Sequence, residues 1–201
     1  MIIHEIQKTS VDRYLVQTDT GPVRTTANVI AEFRLYPGKD IEDKDLEEFR
    51  IHSARALARE HALEIVSRRA MSVKELCRKL AEKGYEESVI RYCADWLVEN
   101  RFLDDADYAR LLVRHYSGKG YGTGRIRSEF IRRGIGKDLW EDALEEMPED
   151  ADEQLARALQ NRLRGDYSRE NLSRISASFF RKGYSWDQIR SALRTFTDES
   201  E

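Results

Sequence analysis

The chain has 201 residues, 40% hydrophobic and 35% charged, enough for a core but polar for one compact globule, and an elongated shape with a large surface accounts for that balance. Its formal net charge of −3 argues against a uniformly basic nucleic-acid binder, and no apolar run approaches the length of a membrane span. Two cysteines, Cys77 and Cys93, are too few for a disulfide framework.

They read as buried, reduced thiols of a cytoplasmic protein, and Met1-Ile2-Ile3-His4-Glu5 carries charge too early for a signal peptide. Residues 1–57 form a leader of their own kind. Tyr14, Val16 and Thr18 alternate with Arg13, Leu15 and Gln17, and Asp19-Thr20-Gly21-Pro22 supplies a turn, so strand, turn, strand is expected. A further extended run is expected over residues 29–35, ending at Pro37-Gly38. One face of such a small β subdomain needs a cover, which a helix starting near residues 43–45 and carrying Leu46, Phe49 and Leu57 can provide. The leader shows no chemistry and reads as a cap or docking element.

From residue 58 the chain repeats. Gly84, Gly134 and Gly183 stand 50 and 49 residues apart, each in a Lys/Arg-Gly-Tyr/Ile setting. Eight residues before each glycine come Leu76, Ile126 and Ile175; four before come Leu80, Phe130 and Phe179; six after come Ile90, Trp140 and Ile189. Apolar residues one helical turn apart, a break, then a second apolar stripe predict helix, turn, helix with glycine as the stop. A first helix precedes each pair, which gives three-helix repeats over 58–102, 103–148 and 149–197. The first helix of repeat one is expected over residues 59–69, and Ser72-Val73-Lys74-Glu75 has the form of a capping box. The inward stripe of the next repeat's first helix is read as Tyr108, Leu111, Leu112, His115 and Tyr116. Its third helix is expected over 137–147. In repeat three the stripes are Leu155, Ala158, Leu159 and Leu163, then Leu172, Ile175, Phe179, Ile189, Leu193 and Phe196, with Ser168 and Ser185 as caps and a fraying acidic tail at 198–201. The fold class is therefore mainly α: tandem three-helix repeats in an elongated, curved array, with a small β-rich subdomain at the N-terminus.

Charge is segregated. Residues 110–137 hold eight Lys/Arg against the single Glu129, while residues 141–153 hold eight acids and no base. At 100° per residue Arg125, Ser128 and Arg132 share one outward side of the helix expected over 123–133, and Lys119 and the helix N-terminus lie at one end of that row. Lys119, Arg125, Arg132 and Arg133 are the candidate partner-binding residues. The Gly-dense segment 118–124 tempts a phosphate-cradle reading, but neither GxGxxG nor GxxxxGK[ST] can be laid on it and a helix rather than a strand precedes it. The segment reads as a pliable turn between helices. His4, His52, His61 and His115 show no ligand spacing with one another or with the cysteines, and Asp104-Asp105 stands where a helix start wants a cap. No enzyme, cofactor or metal is expected.

Three motifs in order carry a resemblance: Ser72-x-x-Glu75-Leu76-x-x-x-Leu80-x-x-Lys83-Gly84-Tyr85, then Leu103-Asp104-Asp105-x-x-Tyr108-Ala109, then Lys119-Gly120 with Ile126-x-x-Glu129-Phe130-x-x-Arg133-Gly134-Ile135. With them the chain resembles the RecX family of regulators of the RecA recombinase, closely over residues 58–147 and more loosely over 150–196. The third repeat departs from the pattern in lacking the Asp-Asp-x-x-Tyr-Ala start. The resemblance implies a non-enzymatic modulator, usually an inhibitor, and the chain is expected to be a monomer. It would lie in the groove of the RecA filament on single-stranded DNA and limit filament growth, ATP hydrolysis and strand exchange. Apart from the resemblance, the paired helices with a basic second helix leave weak single- or double-stranded DNA as an accessory partner. Two alternatives stand beside it. One is a direct DNA-binding protein of helix-turn-helix type; the other is an unrelated helical scaffold, which the 49 to 50 residue period fits poorly.

Overall fold

A computed structural model describes residues 1–197, so the tail at 198–201 lies outside the described residues, as does the side chain of Phe196. The chain is mainly helical and divides into two compact units, Met1–Leu103 and Asp104–Glu201.

In the first unit, strands β1 (Ile3–Lys8), β2 (Arg13–Thr18) and β3 (Val23–Thr26) form an antiparallel sheet in the order β1-β2-β3, with Leu15 opposite Arg24 and Val16 opposite both Ile6 and Val23. The extended run expected over residues 29–35 is instead helix α1 (Ala27–Glu32) and its exit turn. Val29, Ile30 and Phe33 fall at helical spacing and pack on the sheet core, so burial of that stripe outweighs the strand preference of the branched residues. Its freed end is satisfied locally: Lys39 Nζ donates to the Phe33 carbonyl at 2.5 Å.

The covering helix and the first helix of repeat one are continuous. Helix α2 (Asp43–Arg68) runs 26 residues without Gly or Pro. Its first half buries Phe49 under the sheet, and its second half buries Ala58 and Ala62 against α3 (Val73–Glu82) and α4 (Glu87–Glu99). A buried hydrogen bond from Ser53 Oγ to Thr25 Oγ1, 2.8 Å long, ties α2 to the sheet. The Ser72 side chain caps α3 by accepting from the Glu75 amide at 3.1 Å. Leu76, Leu80, Cys93 and Leu97 are fully enclosed, each large apolar side chain contributing roughly 1.5–3 kcal/mol. Cys77 and Cys93 are free thiols, and burial pushes the Cys93 thiol up to about 11.

The second unit holds α5 (Asp105–Ser117), α6 (Thr123–Arg133) and a 3-10 turn (Lys137–Leu139) that leads into the short α7 (Trp140–Leu144), in place of one longer third helix. After these come α8 (Ala151–Leu163), α9 (Arg169–Arg181) and α10 (Trp186–Thr197). The stripe of α5 is rotated from expectation: Ala109 and Val113 are buried with Tyr108 and Leu112, whereas Leu111 and His115 are exposed. Ala109 and Val113 belong to the same buried cluster as Ile126, Phe130 and Ile135, so the stripe lies one position further along the helix. Ala158 is likewise exposed, and Ala156 packs in its stead. Ser185 and Gln188 complete a reciprocal cap on α10, with bonds of 3.0 and 3.1 Å.

Gly84, Gly134 and Gly183 all take positive φ, +85°, +75° and +94°, at the expected helix stops. Gly183 does more. The Gly122 amide donates to the Lys182 carbonyl at 3.0 Å and the Gly124 amide donates to the Gly183 carbonyl at 2.9 Å, so the start of α6 docks backbone to backbone on the α9–α10 turn. A Cβ on Gly122 would sit 2.5 Å from the Gly183 oxygen, and one on Gly183 would fall on the Arg125 amide. The Gly-dense segment is thus a docking surface as well as a turn. Gly84 faces open space, so Gly84→Ala is expected to cost about 1–2 kcal/mol from its φ alone. Gly183→Ala is expected to cost about 1–3 kcal/mol more, because α6 must move. Urea unfolding of the two variants measures the difference, and equal losses would show that the close approach carries no energy.

Candidate interaction site on the second three-helix bundle

The site grows from one buried acid. Helix α6 buries Ile126 and Phe130 on its inner face, and Glu129 between them is also enclosed, at 3% exposure. A carboxylate in that position must be paired, and the sequence places arginines at its i−4, i+3 and i+4 neighbours. Arg132 donates Nε at 3.0 Å and Nη2 at 2.5 Å to the same Glu129 oxygen. Arg125 Nη2 approaches the other oxygen at 3.3 Å, and Arg133 Nε lies 3.5 Å from the oxygen that Arg132 holds. Arg133 donates Nη1 to the Tyr108 hydroxyl, with the guanidinium 5.7 Å from the ring centre, and Tyr121 takes Arg125 over its ring at 5.9 Å. Burial pushes the Glu129 carboxyl upward, but hydrogen bonds from Arg132 and the Tyr116 hydroxyl, with the charges of Arg132 and Arg133, outweigh it and hold the group below its ordinary range.

Arg125, Arg132 and Arg133 are therefore brought together, though not as a free outward row. Their side chains are 47%, 64% and 22% exposed, so Arg125 and Arg132 face solvent while Arg133 is mostly packed on Tyr108. Lys119 stands apart in the α5–α6 turn, exposed and, among the described residues, outside the ion pairs of this cluster. Ser128 spends its hydroxyl on the Gly124 carbonyl at 2.9 Å. The α6 N-terminus, expected to add an anion-attracting end to the row, is already covered by the Lys182 and Gly183 carbonyls. Part of the charge segregation also closes within the bundle: Arg127 pairs with Glu141 at 3.1 Å and Arg114 with Glu146 at 2.9 Å. What remains is a cluster of three guanidinium groups on one carboxylate, net positive, with two of the three reaching solvent.

Glu129 and Tyr116 organise the cluster; the sequence marks Tyr116 as inward and Glu129 as the one acid of the basic run, without assigning either that role. The available signal was a lone acid in a basic run, one helical turn from arginines on both sides.

Residues 58–97 match the family model described as RecX, first three-helix domain, and residues 104–144 match RecX, second three-helix domain. A regulatory protein RecX of Vibrio parahaemolyticus is 35% identical over 144 residues, 71% of this chain and 92% of the relative. The chain belongs to the RecX family. A regulatory protein RecX of Clostridium botulinum is 29% identical over 202 residues, covering 94% of this chain and 92% of that one. A crystal structure of regulatory protein RecX shares the fold over 96% of this chain and 98% of its own, with TM-score 0.73 and 22% identity. RecX from Lactobacillus salivarius, 25% identical, superimposes with TM-score 0.64 over 72% of this chain and 97% of its own. All four candidate residues and Glu129 fall inside the second RecX domain.

Because the folded Glu129 carboxyl lies below its ordinary value of 4.5, its contribution to stability is present above that value and is lost as pH falls through the folded one. Glu129→Gln is expected to lower stability at neutral pH by about 2 kcal/mol and to flatten the decline below pH 4.5. Thermal melts of both proteins between neutral and acid pH check this; an unchanged acid limb would mean that other carboxylates carry the decline.

Proposed function

We propose that this chain is a non-enzymatic regulator of the RecA recombinase, an inhibitor that binds the groove of the RecA filament on single-stranded DNA and limits filament growth, ATP hydrolysis and strand exchange. Membership of the RecX family supports the RecA partner. The observation that carries the site is the Glu129-centred cluster, which pre-orders Arg125 and Arg132 as solvent-facing donors on a fixed helix. Arg133 contributes its charge from a packed position, and Lys119 adds a separate cation in the neighbouring turn. Guanidinium groups held in place lose little freedom on meeting acidic protein surface or phosphate, so their hydrogen bonds go into affinity rather than ordering. The protein acts as a monomer in the cytoplasm and needs no cofactor.

Charge reversal in Arg125→Glu with Arg132→Glu is expected to reduce inhibition of the single-stranded-DNA-dependent ATPase of the cognate RecA at least tenfold, with the far-ultraviolet circular dichroism unchanged. Full inhibition by the folded double variant would remove the cluster from the interface.

One observation favours direct contact with DNA as an accessory property. A groove of about 410 Å³ is lined by Arg125, Arg127, Arg181 and Phe180, and Phe180 stacks on Trp186 with centroids 4.9 Å apart and planes 15° apart. Both rings are nearly half exposed, and stacked rings beside arginines suit unpaired bases and phosphates. Phe180→Ala with Trp186→Ala is expected to weaken binding of a single-stranded oligothymidylate about tenfold or more, and the parent affinity is expected to fall steeply with salt. Salt-independent binding, or affinity untouched by the substitutions, would leave RecA as the sole partner of this region.

A further inference from the structure

The first unit carries a second arrangement of arginines, built on a different principle. Arg55 and Arg59 lie one turn apart on α2, and Tyr92 and Trp96 lie one turn apart on α4 packed beside it. The Arg55 guanidinium sits 4.3 Å from the Tyr92 ring centre and the Arg59 guanidinium 5.0 Å from that of Trp96. Phe102, in the turn after α4, stacks on Trp96 at 5.7 Å with planes 19° apart. The ladder is open to solvent at its edge, where Phe102 is 52% and Tyr92 37% exposed.

Arginines elsewhere around α2 have polar partners: Arg13 pairs with Glu60, Arg68 with Glu64, Arg69 with Glu75, and Arg50 donates to Thr20. Among the described residues no carboxylate pairs with Arg55 or Arg59. Aromatic faces hold a guanidinium by its plane, through the ring quadrupole, and leave the N–H edge unspent. The fold thus fixes two forks without neutralising them, one helical turn apart. Beside them a depression of about 220 Å³, walled by Arg55, Arg59, Tyr92 and Asn28, gives room for an acidic side chain; Glu32 in the same wall is already engaged by His52 at 3.0 Å.

We propose that this α2–α4 face docks an acidic protein segment that presents two carboxylates about one helical turn apart, each taken by one fork. The choice of a protein carboxylate over a nucleic-acid strand follows from the rings. Tyr92 has one face covered by Arg55, and Trp96 lies against both Arg59 and Phe102, so the platform that bases need is largely occupied. Charge complementarity and fork geometry remain, and these match carboxylates. The inference stands independently of the RecA reading.

The test uses the full chain and a fluorescein-labelled helical peptide with Glu at two positions four apart, against the same peptide with Gln, read by anisotropy. The Glu peptide is expected to bind at least tenfold tighter than the Gln peptide. Arg55→Glu with Arg59→Glu is expected to abolish that difference, and Arg55→Lys with Arg59→Lys to weaken binding severalfold by keeping charge without the fork. Should the reversal variant fail to fold, Arg55→Gln with Arg59→Gln takes its place. Equal binding of the Glu and Gln peptides would overturn the proposal. So would loss of binding in Arg125→Glu with Arg132→Glu but not in the Arg55 and Arg59 variants, or tighter binding of an oligothymidylate that depends on Arg55 and Arg59.

Discussion

Helices of ten to thirteen residues are marginal in water by themselves, and every described helix from residue 73 onward is that short or shorter. Each must bury its stripe on two neighbours, so the turns that bring neighbours together are where the fold is decided. Glycine supplies them because a left-handed residue is needed at each stop between the second and third helices of a bundle. In the second unit the same requirement is met twice over: the turn at Gly183 closes its own bundle and also receives the amides that open α6. A helix start with unmet donors and a helix end with unmet acceptors satisfy each other, which leaves neither exposed to solvent or available to a ligand.

The first unit solves the problem by length. Helix α2 is long enough to serve the sheet with Phe49 and the first bundle with Ala58 and Ala62, so the two cores share one rigid element. Alanine at the second contact lets α3 and α4 approach closely, while phenylalanine at the first fills the wider space beneath a sheet.

Features that repeat were legible in the sequence. The three glycines, the stripes around them and the caps at Ser72, Asp104, Ser168 and Ser185 are local and recur, so period and chemistry agree. Features set by distant partners were not legible. Residues 29–35 have branched side chains that suit a strand, and only the sheet core beneath them selects a helix. Gly122 and Gly124 look like loosening of a turn until the Gly183 carbonyl, about sixty residues away, is seen against them. The pattern that points Leu111 and His115 inward is one position out of phase with the observed stripe, in which Ala109 and Val113 are buried. Of the candidate site, the arginines and the lone acid among them were visible, but the burial of Glu129 was not, because it is set by the packing of α6 rather than by the local pattern.

The two arginine arrangements show why net charge says little about where a protein presents it. Around Glu129 a carboxylate holds the guanidinium groups, so order is obtained by giving up one unit of charge and most of one donor edge. Around Tyr92 and Trp96 the rings do the holding, and the full charge and the donor edges survive. The first arrangement suits a surface that must stay positive yet survive burial of its own root in a helical core. The second suits a surface whose cations stay uncompensated until a partner arrives. A chain with net charge −3 can carry both, because acids such as Glu87, Glu153 and Asp187 pair locally with arginines one helical turn away rather than with these clusters.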